Sequence, residues 1–509
     1  MRHEERLVFP WCLSAFVAIC CAPVSRFNLA ITMRRFISVI LVTLLFIAAS
    51  AARQSSTPKP PPRVSYLAYE QARPILESLK DESPSELRDA AAERQADVWR
   101  DWAARRDADI RSRLKGGDED SVVNFLLFGT SFTRRPRLTL ADIARASQKE
   151  NSQEAAKAFE LIQARADDLV QAILAPTTNE RVLFARHIFE GRGYDLKKAA
   201  TTTQMKLDLL TSLARVLDEQ SSNGRLLEAA RMQGDASQEF VVRSQLYKDR
   251  GLSSDTSLPP NFAIERALAS LKAKGTLALR SVRRVAIVGP GLDFTDKQDG
   301  FDFYPQQTIQ PFAVIDSLLR LGLAKPNDLR VTTLDLSPRI NDHLTRARAR
   351  AAQGTAYVVQ LPRDEQWKPD LLAYWSKFGD QIGATVAPVA PPAALGELKV
   401  RAVSIRPAVV SLLSSEDVDI VLQHLNVAAA ESFDIIIATN ILVYYDTFEQ
   451  SLALANIEQM LRPGGLLLSN NALLELPVLK MHSLGYESVA YSDREADGDH
   501  IVWYQRQTP

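Results

Sequence analysis

Near Ser281 the sequence changes rhythm, and no other feature constrains the fold as much. From Val64 to about Gly275, Leu, Ala, Arg and Glu dominate. Apolar residues recur at three- and four-residue spacing, as in Ala158, Leu161, Ile162, Ala166, Leu169 and Ile173, which predicts helices. Beyond Ser281, short apolar runs alternate with helical segments. Val285–Val288, Val331–Leu334, Phe433–Ala438 and Leu466–Leu468 read as strands, and Pro311–Leu321 and Thr447–Leu461 as helices. Strands apolar on both faces must be covered on both faces, which implies a parallel sheet in an α/β fold. A further strand is expected in the unassigned stretch after Leu334. Glu487–Tyr491, a turn at Asp497-Gly498 and His500–Tyr504 read as an antiparallel hairpin closing the sheet. The chain thus divides into an all-α domain over 64–278 and an α/β domain over 279–509.

The leading residues read as processing signals. Residues 1–32 are taken as a mis-assigned upstream extension. Residues 33–52 have the layout of a signal peptide: basic Arg34-Arg35, apolar Phe36–Ile47, then small residues to Ala52. The apolar run is short for a membrane span, although a membrane anchor is the alternative. Residues 53–63 are a Pro-rich linker. The protein is therefore expected to be exported or membrane-anchored, and cytoplasmic only if the leader reading fails.

All three cysteines, Cys12, Cys20 and Cys21, lie in this leader, so disulfides, thiol nucleophiles and cysteine metal sites are excluded from the mature chain. The histidines are scattered, and no metal is expected. Sixty-one basic residues balance 61 acidic ones, which argues against a protein built to bind nucleic acid.

Three glycine-containing segments of the helical part are read as loops, either ordinary helix caps and turns or the frame of a binding cleft: Gly116–Asp120, Gly129–Thr133 and His187–Asp195. In the α/β part, three features share the place where open α/β sheets bind ligands, the carboxyl ends of the strands. Gly289-Pro290-Gly291 follows the first strand, Asp335 ends the second, and Asn440 follows Phe433–Ala438. Each has a plain structural alternative: a tight turn, a cap for the helix after Ser337-Pro338, and a turn residue.

The stretch FDIIIATNILVYYD (Phe433–Asp446), the helix after it and LRPGGLLLSNN (Leu461–Asn471) resemble class I S-adenosylmethionine-dependent methyltransferases. Among these they are most similar to the chemotaxis-receptor (CheR-type) enzymes. The resemblance implies a Rossmann-like, seven-stranded methyltransferase sheet with a terminal antiparallel hairpin, and S-adenosylmethionine as cofactor. It implies that Gly289 and Gly291 line the cofactor's amino-acid end and Asp335 holds the ribose hydroxyls. Asn440 is implied beside the sulfonium and the incoming nucleophile, as the catalytic residue. The family's acidic residue before the first glycine is Val288 here, and Asp293 is the candidate replacement at the ammonium group.

Two inserts stand out. Leu292–Gln310 is expected either to fold over the pocket, presenting Asp302, Tyr304, Gln307 and Gln310, or to be a solvated loop. Tyr357 to about Lys399 is the candidate for acceptor specificity. The acceptor is unassigned, either a protein carboxylate or a small molecule. The alternative function is a non-catalytic cell-envelope binding or scaffold protein that keeps the fold. A dinucleotide-dependent dehydrogenase fits less well, because Phe294 stands where the last glycine of G-x-G-x-x-G belongs. G-x-S-x-G and H-E-x-x-H are absent.

Overall fold

The computed structural model describes residues 63–138, 142–143, 152–232, 242, 246–247, 251–253, 256–294, 301–470, 472–494 and 497–508. The leader, the Pro-rich linker and all three cysteines lie outside the described residues. The strands are β1 (Val64–Tyr66), β2 (Arg284–Val288), β3 (Arg330–Asp335), β4 (Tyr357–Arg363), β5 (Gly383–Val386), β6 (Lys399–Ile405), β7 (Leu413–Asp417), β8 (Gln423–Leu425), β9 (Phe433–Ala438), β10 (Leu461–Ser469), β11 (Met481–Ala490) and β12 (Gly498–Arg506). The main helices are α1 (Tyr69–Ser78), α2 (Gln95–Phe128), α3 (Ser152–Leu174), α4 (Glu180–Gly191), α5 (Ala199–Met232), α6 (Pro259–Ala273), α7 (Gln310–Arg320), α8 (Pro338–Ala352), α9 (Pro369–Lys377) and α10 (Thr447–Met460).

Seven strands form the central sheet in the order β11-β12-β10-β9-β2-β3-β7. β10, β9, β2, β3 and β7 run parallel, while β12 lies antiparallel to both β10 and β11. This is the expected Rossmann-like, seven-stranded sheet with its terminal antiparallel hairpin. The strand left unassigned after Leu334 is β7. The chain between β3 and β7 builds a separate antiparallel sheet, β4-β6-β5, with α9 packed beside it. The Arg462–Gly465 turn proves to lie within β10, where the pairing with β9 slips between Leu461 and Leu466.

The apolar strands are buried on both faces, as their composition requires. Along β2, Val285 and Ile287 face one core while Ala286 and Val288 face the other; β9 divides Ile435 and Ile437 from Ile436 and Ala438 in the same way. The first core is covered by α6, α7, α8 and the insert sheet. The second is covered by α1, α10 and the first half of α2, through Trp99, Trp102 and Ile110. The second half of α2 enters a third core with α3, α4 and α5. α6, before the expected boundary at 278, packs on β11 and β12, and Arg63–Pro509 is one compact unit.

Two expected loops are corrected. Gly116–Asp120 lies inside α2. Its glycines admit the non-helical backbone at 251–252, because a Cβ on Gly117 would come within 1.8 Å of the Leu252 carbonyl oxygen. His187–Gly191 is the last turn of α4, and only the residues after it leave the helix. Gly129–Thr133 is a loop, as expected.

Candidate functional site

The carboxyl ends of β2, β3 and β9 open onto one cavity of about 450 Å³, a size typical of small-molecule sites. Gly289, Gly291, Asp293, Asp335 and Asn440 all line it. The turn after β2 needs its glycines. Gly289 and Gly291 have φ of +64° and +71°, a region that L side chains avoid. A Cβ on Gly289 would also sit 2.1 Å from Cδ1 of Ile441. Asn440 takes the same left-handed conformation, φ +60°, which asparagine tolerates better than other non-glycine residues. Asn470, at the end of β10, locks it there. Its Oδ1 accepts from the Asn440 N–H at 2.8 Å, and its Nδ2 donates to Asn440 Oδ1.

Asp335 is buried at the end of β3. Its Oδ1 accepts from the Ser337 N–H at 2.7 Å. Burial pushes its carboxyl up to about 7; the Ser337 hydrogen bond and Arg339 oppose that rise, and the Asp417 charge adds to it. Val418 and Ile420, after β7, give the cavity an apolar wall beyond Asp335.

The described ends of the insert after Gly291, residues 292–294 and 301–310, border the cavity. Asp293 Oδ2 accepts from the Tyr304 hydroxyl at 2.8 Å and from Gln307 Nε2 at 2.9 Å. Gln307 also exchanges two 2.7 Å bonds with the backbone of Gln360 in β4. Gln310 donates to Thr439 Oγ1 at 2.9 Å. Of the four insert residues singled out from sequence, Tyr304 and Gln310 line the cavity and Gln307 supports Asp293 from behind. Asp302 points away. It accepts from the N–H groups of Thr130 and Ser131, both at 2.8 Å, and from the Thr130 hydroxyl at 2.7 Å. The Gly129–Thr133 loop therefore receives the insert rather than a ligand.

A fully buried arginine on α4 grips the same insert. Arg181 donates to the carbonyls of Phe294, Asp293 (3.1 Å), Asp302 (3.3 Å) and Tyr304 (2.5 Å), taking hold of both of its ends. Arg165 on α3, also fully buried, moulds the receiving loop through the carbonyls of Leu126 (2.7 Å), Pro136 (2.9 Å) and Gly129. Burial lowers its pKa to about 10.

Sequence reasoning missed three contributions. The first is the segment leading into α6 together with the helix's first turn, where Leu252, Ser257 and Asn261 line the cavity. The second is the aromatic pair Tyr444 and Tyr445 after β9, which stood in the quoted FDIIIATNILVYYD without being assigned. The third is Asn470, present in LRPGGLLLSNN and likewise unassigned. Only the last two carried a signal that could have been used.

No known protein family matches the chain by sequence, and no curated protein matches it. Among solved structures it is similar to the N-methyltransferase NodS from Bradyrhizobium japonicum WM9, at 16% identity over 48% of this chain and 97% of that one, TM-score 0.24. It is similar to the glycopeptide N-methyltransferase MtfA, at 12% identity over 49% of this chain and 96% of that one, TM-score 0.24. A third likeness, to MtNAS in complex with MTA and tNA, reaches 72% of this chain and 97% of that one at 12% identity, TM-score 0.21. These are likenesses of fold at low identity, and they do not single out the chemotaxis-receptor branch.

Proposed function

We propose that the cavity binds S-adenosylmethionine and that the protein transfers its methyl group to an acceptor. The reading rests on one observation: the turn after β2, the carboxylate ending β3 and the amide after β9 line a single cavity. The lining suits the ligand. Gly289 gives close access to backbone where a side chain would collide with Ile441, and Asp293 and Asp335 suit a ligand with an ammonium group and a diol.

In this reading Gly289 and Gly291 border the amino-acid end, Asp293 takes the ammonium, and Asp335 accepts from the ribose hydroxyls. Val418 and Ile420 flank the base. When bound, S-adenosylmethionine supplies a methyl group on an already activated, positively charged sulfur. The protein's task is then alignment. Asn440, fixed by Asn470, holds the rim where donor and acceptor meet, and Tyr304 and Gln310 close the cavity against water. The expected export of the chain belongs to the same proposal, and an alkaline-phosphatase fusion after Arg63 tests it, since that reporter is active only outside the cytoplasm.

A crystal structure with S-adenosylhomocysteine tests the binding mode. The expected density has the ribose on Asp335 and the base between Val418 and Ile420. Density elsewhere, or none at saturating ligand, contradicts it.

A further inference from the structure

Along the strand order the cavity has two unlike ends. Val418 and Ile420 stand at the β7 edge. Tyr491, Arg494 and Asp497, between β11 and β12, stand on the opposite side, with Gly289 and Asn440 between them. The segment after β4 completes this far wall, tied to the hairpin by the Lys368 N–H donating to the Tyr491 carbonyl at 2.7 Å. Trp367, Tyr491, Asp364, Asp497 and Arg494 line it.

The charge of this wall is specific. Arg494 is half-exposed and reaches Asp364 and Asp497 at 3.4 Å each. It is the only cation lining the cavity among the described residues. Nearby, Lys368 pairs with Asp493 at 3.5 Å. Two carboxylates against one guanidinium leave the wall net negative, and two rings stand beside them. Aromatic faces and carboxylates together attract organic cations and repel anions.

We propose that this wall seats a small organic amine in its protonated, cationic form. On the methyl-donor reading, that amine is the acceptor. A carboxylate or phosphate acceptor would instead face Asp364 and Asp497. An amine held here gives one N–H proton to Asp364 or Asp497, and its freed lone pair then forms the N–CH3 bond as the donor's S–CH3 bond breaks, the electron pair of that bond staying on sulfur. Asp364 and Asp497 keep 20% and 23% of their side-chain surface exposed, so that proton has a path to solvent.

The test is calorimetric titration of the full chain with benzylammonium and with benzoate, each with and without saturating S-adenosylhomocysteine. Benzylammonium is expected to bind at least tenfold more tightly than benzoate. The Asp364→Asn/Asp497→Asn double variant is expected to lose that preference while keeping its affinity for S-adenosylhomocysteine. Trp367→Leu, which retains both carboxylates, is expected to weaken benzylammonium severalfold. Benzoate binding equally well, no benzylammonium binding at millimolar concentration, or a preference that survives the double variant would each overturn the proposal. Cation preference without any S-adenosylhomocysteine binding would uphold this wall and sink the methyl-donor reading, so the two failures are distinguishable.

Discussion

At Asp335, burial and ligand chemistry pull in opposite directions. Without ligand, burial pushes the carboxyl up to about 7, so its neutral form predominates only below that pH. The folded value is raised above the unfolded one. The group's contribution to stability is therefore complete below the unfolded pKa, near 4, and is lost as pH rises through about 7. Ribose hydroxyls donate to the ionised form, so binding should release a proton below about 7 and strengthen as pH rises through that value. Titrations of S-adenosylhomocysteine in buffers of different ionisation enthalpy will show that release, and Asp335→Asn should abolish it. Gly289→Ala should destabilise by about 1–2 kcal/mol from its left-handed backbone alone, and the clash with Ile441 should add to that and weaken ligand binding; denaturant melts and titration will read both. That Asp335 and the glycines would meet at one cavity was legible in the sequence, because open α/β sheets form their ligand crevice at the carboxyl ends of the strands. The support of Asn440 was not, since Asn470 lies 30 residues away and pairs with it only through the neighbouring positions of β9 and β10.

The site depends on the described ends of the Leu292–Gln310 insert, which buried Arg181 holds directly, while buried Arg165 shapes the loop that receives them. Arg181→Met leaves four carbonyls without their donor. Each unsatisfied buried group costs about 1–3 kcal/mol, so a loss of at least ~3 kcal/mol in unfolding free energy is expected. Arg181→Lys, which restores part of the donor set, should recover stability more fully than ligand affinity, because a single ammonium cannot span both ends of the insert. Thermal melts and titration on the same samples will separate the two effects. The sequence allowed this insert to be either a cover or a solvated loop. Composition could not choose, because arginine usually marks a surface. Here two arginines are fully buried against carbonyls that only the tertiary fold assembles. The same limit explains Gly116–Asp120: glycines that look like a loop are placed in a helix by a backbone crossing from a distant segment.

At the scale of the whole molecule, the helical half completes the sheet half. Trp99 and Trp102 of α2 and the apolar face of α6 cover opposite faces of the central sheet, and Arg106 pairs with the buried Glu449 at the start of α10, at 2.6 Å. A fragment limited to residues 279–509 is therefore expected to be insoluble or to lack a cooperative transition, whereas 63–509 should unfold as one unit. Soluble expression with calorimetry distinguishes these outcomes. The change of rhythm near Ser281 located the sheet correctly, but periodicity reports which face of a helix is buried, not against which partner. In the proposed function, one cavity at the strand ends holds a nucleoside-bearing methyl donor. Isothermal titration of the full chain with S-adenosylhomocysteine tests this most directly. Micromolar binding that Asp335→Ala abolishes is the predicted result. An absence of heat at millimolar ligand, or binding indifferent to Asp335→Ala, would contradict it.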